Sequence, residues 1–171
     1  MATRSTAKGQ SSATKQTKGT SKSASQGGVL FDLLKEDHDR VKDLFEQIED
    51  SEDDTESRDE LFSQIRDDLE IHMEGEESFL YPALEEHDDT REMALEAYEE
   101  HHVAKTVLIE VGELDQEDER WKAKMKVLKE LIEHHIEEEE GELFKMARKV
   151  LAKEEIQEIS DSIEQLKSKA A

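Results

Sequence analysis

The chain has 171 residues, of which 46 are Asp or Glu and 23 are Lys or Arg, for a formal net charge of −23. This length allows one domain with a modest core, since 34 % of the residues are hydrophobic and 5 % aromatic. The lack of cysteine excludes a disulfide framework, a thiolate-ligated zinc or iron–sulfur site and a thiol nucleophile. No apolar run reaches the roughly 18 residues of a membrane span. One proline and seven glycines argue against a turn-rich β-sandwich or barrel and for long helices.

Residues 1–28 carry Arg4, Lys8, Lys15, Lys18 and Lys22, no acid, and no Val, Ile, Leu, Phe, Tyr or Trp. Such a segment has nothing to bury against the entropy of ordering, so it is read as a disordered basic tail, a linker or tether. It has neither the apolar stretch of a secretory signal nor the amphipathic face of a transit peptide, and the cytoplasm is the expected location. The body, 29–171, holds the remaining 18 bases against all 46 acids, a net of −28. A surface of that sign repels nucleic acid and anionic lipid and favours cations. No membrane partner is expected, and nucleic acid only weakly, through the tail.

Five segments with helical periodicity follow. The first, about 29–50, places Leu34, His38, Val41, Phe45 and Ile48 on one stripe and closes at Asp50, Glu52, Asp53 and Asp54. The second, about 57–86, aligns Leu61, Ile65, Leu69, His72, Glu76, Leu80 and Ala83, with Pro82 kinking or stopping it. The third, about 90–112, aligns Ala94, Ala97, His101, Ala104, Leu108 and Val111 and ends at Gly112. The fourth, about 117–150, aligns Met125, Leu128, Ile132, His135, Glu139 and Met146, and a shorter fifth spans about 153–168. The expected fold is all-α: an up-down-up-down four-helix bundle with a short fifth C-terminal helix across an end or a side.

Six polar residues interrupt those stripes where the period calls for core side chains: His38, His72, Glu76, His101, His135 and Glu139. Each of the four long helices contributes one histidine, and two histidines have a glutamate four residues on, on the same helix face. An ionised carboxylate in a bundle core is costly unless it is paired or holds a metal. Two carboxylates among four imidazoles therefore point to bound cations. An internal repeat fixes the choice among neighbouring residues. IHMEGEESFLYPAL (71–84) aligns with HHIEEEEGELFKMA (134–147), setting His72 on His135, Glu76 on Glu139 and Tyr81 on Phe144. DHDRVKDLFEQI (37–48) aligns with EHHVAKTVLIEV (100–111), setting His38 on His101 rather than on His102. His87, His102 and His134 are read as surface residues, and Glu77 and Glu140 stand one residue off the stripe as alternates to Glu76 and Glu139. Imidazole and carboxylate without thiolate suit iron, manganese or zinc, and six ligands suit two ions bridged by carboxylates.

At LKEDHDRVKDLF, HMEGEESFLYPAL, EEHHVAKTVL and HHIEEEEGELF the chain resembles the hemerythrin-like, or HHE cation-binding, family over about 29–168. The resemblance implies a four-helix bundle around two non-haem iron ions, carboxylate/oxo-bridged. The pattern departs from the oxygen carriers, which place a second histidine where Lys105 stands and an aspartate at the position of Glu140. It is closer to the di-iron proteins of iron–sulfur cluster repair, although a sequence without cysteine is not expected to carry the separate cysteine-bearing domain often found there. Fewer protein ligands, with the Lys105 ammonium close by, favour irreversible oxidation or nitric oxide chemistry. Gly75, a costly residue inside a helix, is read as leaving space for a small ligand beside the metals or as carrying no role.

The leading expectation is a module that binds or senses iron and a small diatomic or oxidant: dioxygen, nitric oxide or peroxide. The alternatives are a di-iron oxidase, a peroxide- or nitric oxide-consuming enzyme, a cluster-repair protein, and a metal-free bundle with pH-sensitive core histidines. A protein redox partner is left unspecified.

Overall fold

The computed structural model describes Met1, residues 29–51 and residues 55–170; the basic segment 2–28, expected to be disordered, and the acidic residues 52–54 lie outside the described residues. Helix α1 (Val29–Asp50) buries Leu30, Leu34, His38, Val41, Phe45 and Ile48, a stripe at steps of three and four. Helix α2 (Thr55–Gly75) runs without a break into a π-helical turn (Glu76–Leu80) and then α3 (Tyr81–Glu85). Helix α4 spans Asp88–Gly112. Helix α5 (Glu119–Glu138) likewise runs through a second π-helical turn (Glu139–Leu143) into α6 (Phe144–Val150), and α7 covers Lys153–Ala170. α1 packs along α2 and α4 along α5, α3 and α6 pack on α4, and α7 lies lengthwise on α1, α2 and the first π turn. Short links between long rods give the up-down-up-down bundle, with the fifth rod on its side. Among the described residues no helix is long and apolar enough to cross a membrane.

The two π turns correct the expected core face. A π turn holds one residue more than an α turn, so every position beyond it moves round the axis by one residue. Ala83 and Met146, expected on the buried stripe, are only half-buried, and Leu84 and Ala147 take the core positions instead. Pro82 does not stop its rod, which continues to Glu85. Its counterpart in the repeat is Lys145, beyond a turn of the same shape, so proline is not what produces the turn.

The interior has two apolar clusters. One gathers Val41, Phe45, Ile65, Leu69, Leu108 and Leu128; the other gathers Leu30, Phe31, Leu80, Tyr81, Phe144 and Ile163. Along α1, His38 stands between Leu34 of the second cluster and Val41 of the first, and along α4, His101 stands between Ala97 and Ala104 in the same way. The polar residues thus form a layer between two apolar ones. Gly75 faces away from open space: a Cβ there would come within 3.3 Å of Ile163 Cγ1. Its missing side chain admits α7 and does not make room for a ligand.

Candidate metal centre

The structure brings the six sequence-selected residues into one buried cluster, each at 5 % exposure or less. The imidazoles form two pairs. His38 Nε2 lies 3.1 Å from His72 Nε2, and His101 Nε2 lies 3.1 Å from His135 Nε2. All four turn Nδ1 outward to a carboxylate: His38 to Glu140 at 2.9 Å, His101 to Glu77 at 3.0 Å, His135 to Glu100 at 2.7 Å and His72 to Asp37 at 3.4 Å. A carboxylate that accepts a hydrogen bond from Nδ1–H fixes the proton there, which leaves Nε2 of the neutral ring with a bare lone pair. Two such lone pairs 3.1 Å apart repel each other, and a cation shared by both rings removes that repulsion. Glu77 and Glu140 therefore orient the rings from outside, while Glu76 and Glu139 occupy the layer itself.

Each inner carboxylate reaches one ring of each pair. Glu76 Oε2 is 3.1 Å from His72 Nε2 and 3.5 Å from His101 Nε2; Glu139 Oε2 is 3.3 Å from His38 Nε2 and 3.8 Å from His135 Nε2. Glu76 Oε1 and Glu139 Oε2 are buried and accept no hydrogen bond. A buried carboxylate oxygen without a donor costs several kcal/mol unless a cation reaches it. The donor set and these orphaned atoms fit divalent metal ions held by imidazole and carboxylate.

Protons do the balancing where cations do not. Burial by itself pushes the His72 ring down, but Glu76, Asp37 and Glu139 carry it up to about 10. Burial would raise Glu76, yet His72, His101 and His38 hold it well below the usual carboxylate range. His135 is raised, with Glu100 and Glu139 outweighing burial, whereas burial dominates at His101 and lowers it.

Tyr81 belongs to the site and was missed as a functional residue. Its hydroxyl lies 3.3 Å from Glu76 Oε2, 3.4 Å from Glu139 Oε1 and 3.2 Å from His101 Nε2. Burial and the two carboxylates push the phenol far above its ordinary range, so it stays a hydrogen-bond donor. The repeat contained the signal: Tyr81 aligns with Phe144, and the hydroxyl is the one polar atom by which the pair differs. Replacing Tyr81 with Phe is expected to lower the urea stability of the metal-free protein by about 1 kcal/mol, with unchanged far-ultraviolet circular dichroism. A loss of 3 kcal/mol or more would show that the ring, not the hydroxyl, is the important element.

Lysines close three of the four outer carboxylates. Lys35 pairs with Glu140 at 3.0 Å, Lys105 donates to Glu77 at 2.6 Å, and Lys167 of α7 pairs with Asp37. The Lys105 ammonium, expected close to the site, reaches it from outside and steadies His101 through Glu77. His102 and His134 are exposed and His87 is half-buried, in keeping with surface roles.

The hemerythrin HHE cation binding domain matches residues 29–147. The chain belongs to that family. A curated protein of Nostoc sp. (strain PCC 7120 / SAG 25.82 / UTEX 2576), named DNA nickase, is 29 % identical to this HHE protein over 143 residues. The match covers 82 % of this chain and 39 % of that relative, so the chain spans well under half the relative's length. No solved structure matches.

Proposed function

We propose that this HHE domain holds two iron ions in its polar layer and there meets a small oxidant or diatomic molecule, as a binding or sensing module. The supporting observation is the convergence, between two apolar clusters, of four Nε2 atoms and two buried carboxylate oxygens that accept no hydrogen bond. His38 and His72 would hold one ion and His101 and His135 the other, with Glu76 and Glu139 reaching both. Bound iron supplies one-electron chemistry toward dioxygen, nitric oxide or peroxide.

The chain's own residues set the conditions for that chemistry. Asp37, Glu77, Glu100 and Glu140 fix the ring tautomers and raise ring basicity, an outer arrangement whose loss usually costs metal sites 10–100-fold in affinity. Leu34, Leu80 and Phe144 on one side and Val41, Leu69 and Ile132 on the other exclude water. Tyr81 offers one proton donor on the Glu76–His101 side and Phe144 none on the other, so the two positions are chemically unequal. The body's net charge opposes contact with a polyanion, so the activity in the relative's name is not carried to this bundle.

Anaerobic loading with Fe(II), followed by air while the optical spectrum is recorded, tests this reading. Charge-transfer bands are expected that dithionite removes and vacuum does not. Removal by vacuum would mark a reversible carrier, sustained turnover with a reductant would mark an enzyme, and absence of bands would defeat the iron assignment.

A further inference from the structure

We infer that divalent cations reach the buried layer through the groove between α4, α5 and the second π turn, with Glu100, His134 and Glu138 as the first coordinating stop. This rests on the metal-binding reading above. The repeat makes the groove conspicuous by comparison with the other half. There, α7 covers α1, α2 and the first π turn, sets Ile163 on Gly75 and closes Asp37 with Lys167. At the matching positions 63 residues on, Gly75 becomes Glu138, Ile71 becomes His134, Phe79 becomes Glu142 and Asp37 becomes Glu100. Among the described residues no helix covers that side, and a groove of about 700 Å³ lies there. The sequence has thus exchanged an apolar, helix-covered stripe for a His–Glu–Glu stripe at the same spacing.

Three observations connect the groove to the centre. Single donor atoms of Glu100, His134 and Glu138 lie within 4.8 Å of one another. Glu100 accepts from His135 Nδ1 at 2.7 Å and, unlike Asp37, Glu77 and Glu140, has no lysine on it among the described residues. Glu139, 2 % exposed, lines the groove while its Oε2 lies 3.3 Å from His38 Nε2 in the layer, so one side chain spans the two. A cation drawn to Glu100 is then one side chain from the layer, whereas at the other three outer carboxylates it meets an ammonium first. Six glutamates and one lysine, Lys145, line the groove, and clefts dominated by one sign of charge raise association rates by about 10- to 1000-fold.

Uptake of Co(II) by the full-length protein, followed in stopped flow by the visible bands of the bound ion, tests the route. The His134→Ala/Glu138→Gln variant is expected to take up Co(II) about tenfold more slowly, with the same number of ions bound at equilibrium. Its rate should also depend less on salt. The Glu154→Gln/Glu158→Gln variant removes two carboxylates from the exposed face of α7, on the covered side, and is expected to keep the wild-type rate. Equal slowing in both variants, or in neither, would overturn the route. Failure of the wild type to bind Co(II) at all would instead remove the metal-binding reading on which the route rests.

Discussion

The Glu76→Gln/Glu139→Gln protein is expected to gain almost no thermal stability from Fe(II), whereas the wild type gains a great deal. Glutamine keeps the volume of each side chain and most of its hydrogen bonding, so the bundle is retained. It removes the two negative charges that reach both imidazole pairs. An ion that binds only the folded state stabilises it by about 4 kcal/mol at a free concentration a thousandfold above Kd. For a chain of this size that is a rise in Tm of roughly 8–16 °C, readable by anaerobic calorimetry. A variant that still gained as much as the wild type would place the bound ion elsewhere on this acidic surface.

Replacing Ile163 with Ala is expected to cost about 3 kcal/mol in urea unfolding, among the larger losses available outside the polar layer. Ile163 is 1 % exposed and fills the space that Gly75 leaves on α2, so truncation opens a cavity between α7 and the bundle. Gly75→Leu approaches the same contact from the other side and is expected to cost roughly 1–3 kcal/mol by overpacking. The double variant should lose less than the sum of the two, because the new side chain enters the space that Ile163 vacates. Strict additivity would show that the two residues do not share one packing site.

The bundle was legible because long stripes at a period near 3.6 dominate a sequence with few turn residues. The buried cluster was legible for the same reason: His38, His72, Glu76, His101, His135 and Glu139 fall on apolar stripes, where polar residues are conspicuous. The repeat separated His101 from His102, and the structure buries the first and exposes the second. What the period hides is any change in the period. Each π turn moved the core face by one residue, from Ala83 to Leu84 and from Met146 to Ala147, and no hydropathy count at a fixed angle registers that.

The role of the outer carboxylates was hidden differently, even though the sequence marks Glu77 and Glu140 as alternates to Glu76 and Glu139. Asp37, Glu77, Glu100 and Glu140 stand one residue off the stripes, where solvated charge is the ordinary expectation. Only packing of neighbouring helices sets them on the Nδ1 atoms. The contacts of Lys105 and Gly75 were hidden for a related reason. Each answers to a partner distant in sequence, Glu77 for the lysine and Ile163 for the glycine.

The most direct test of the central claim is the number of Fe(II) ions bound per chain under anaerobic titration, in the wild type and in the His72→Ala and His135→Ala variants. The two imidazole pairs predict two ions in the wild type and one in either variant. One ion or none in the wild type, or two in both variants, would contradict it.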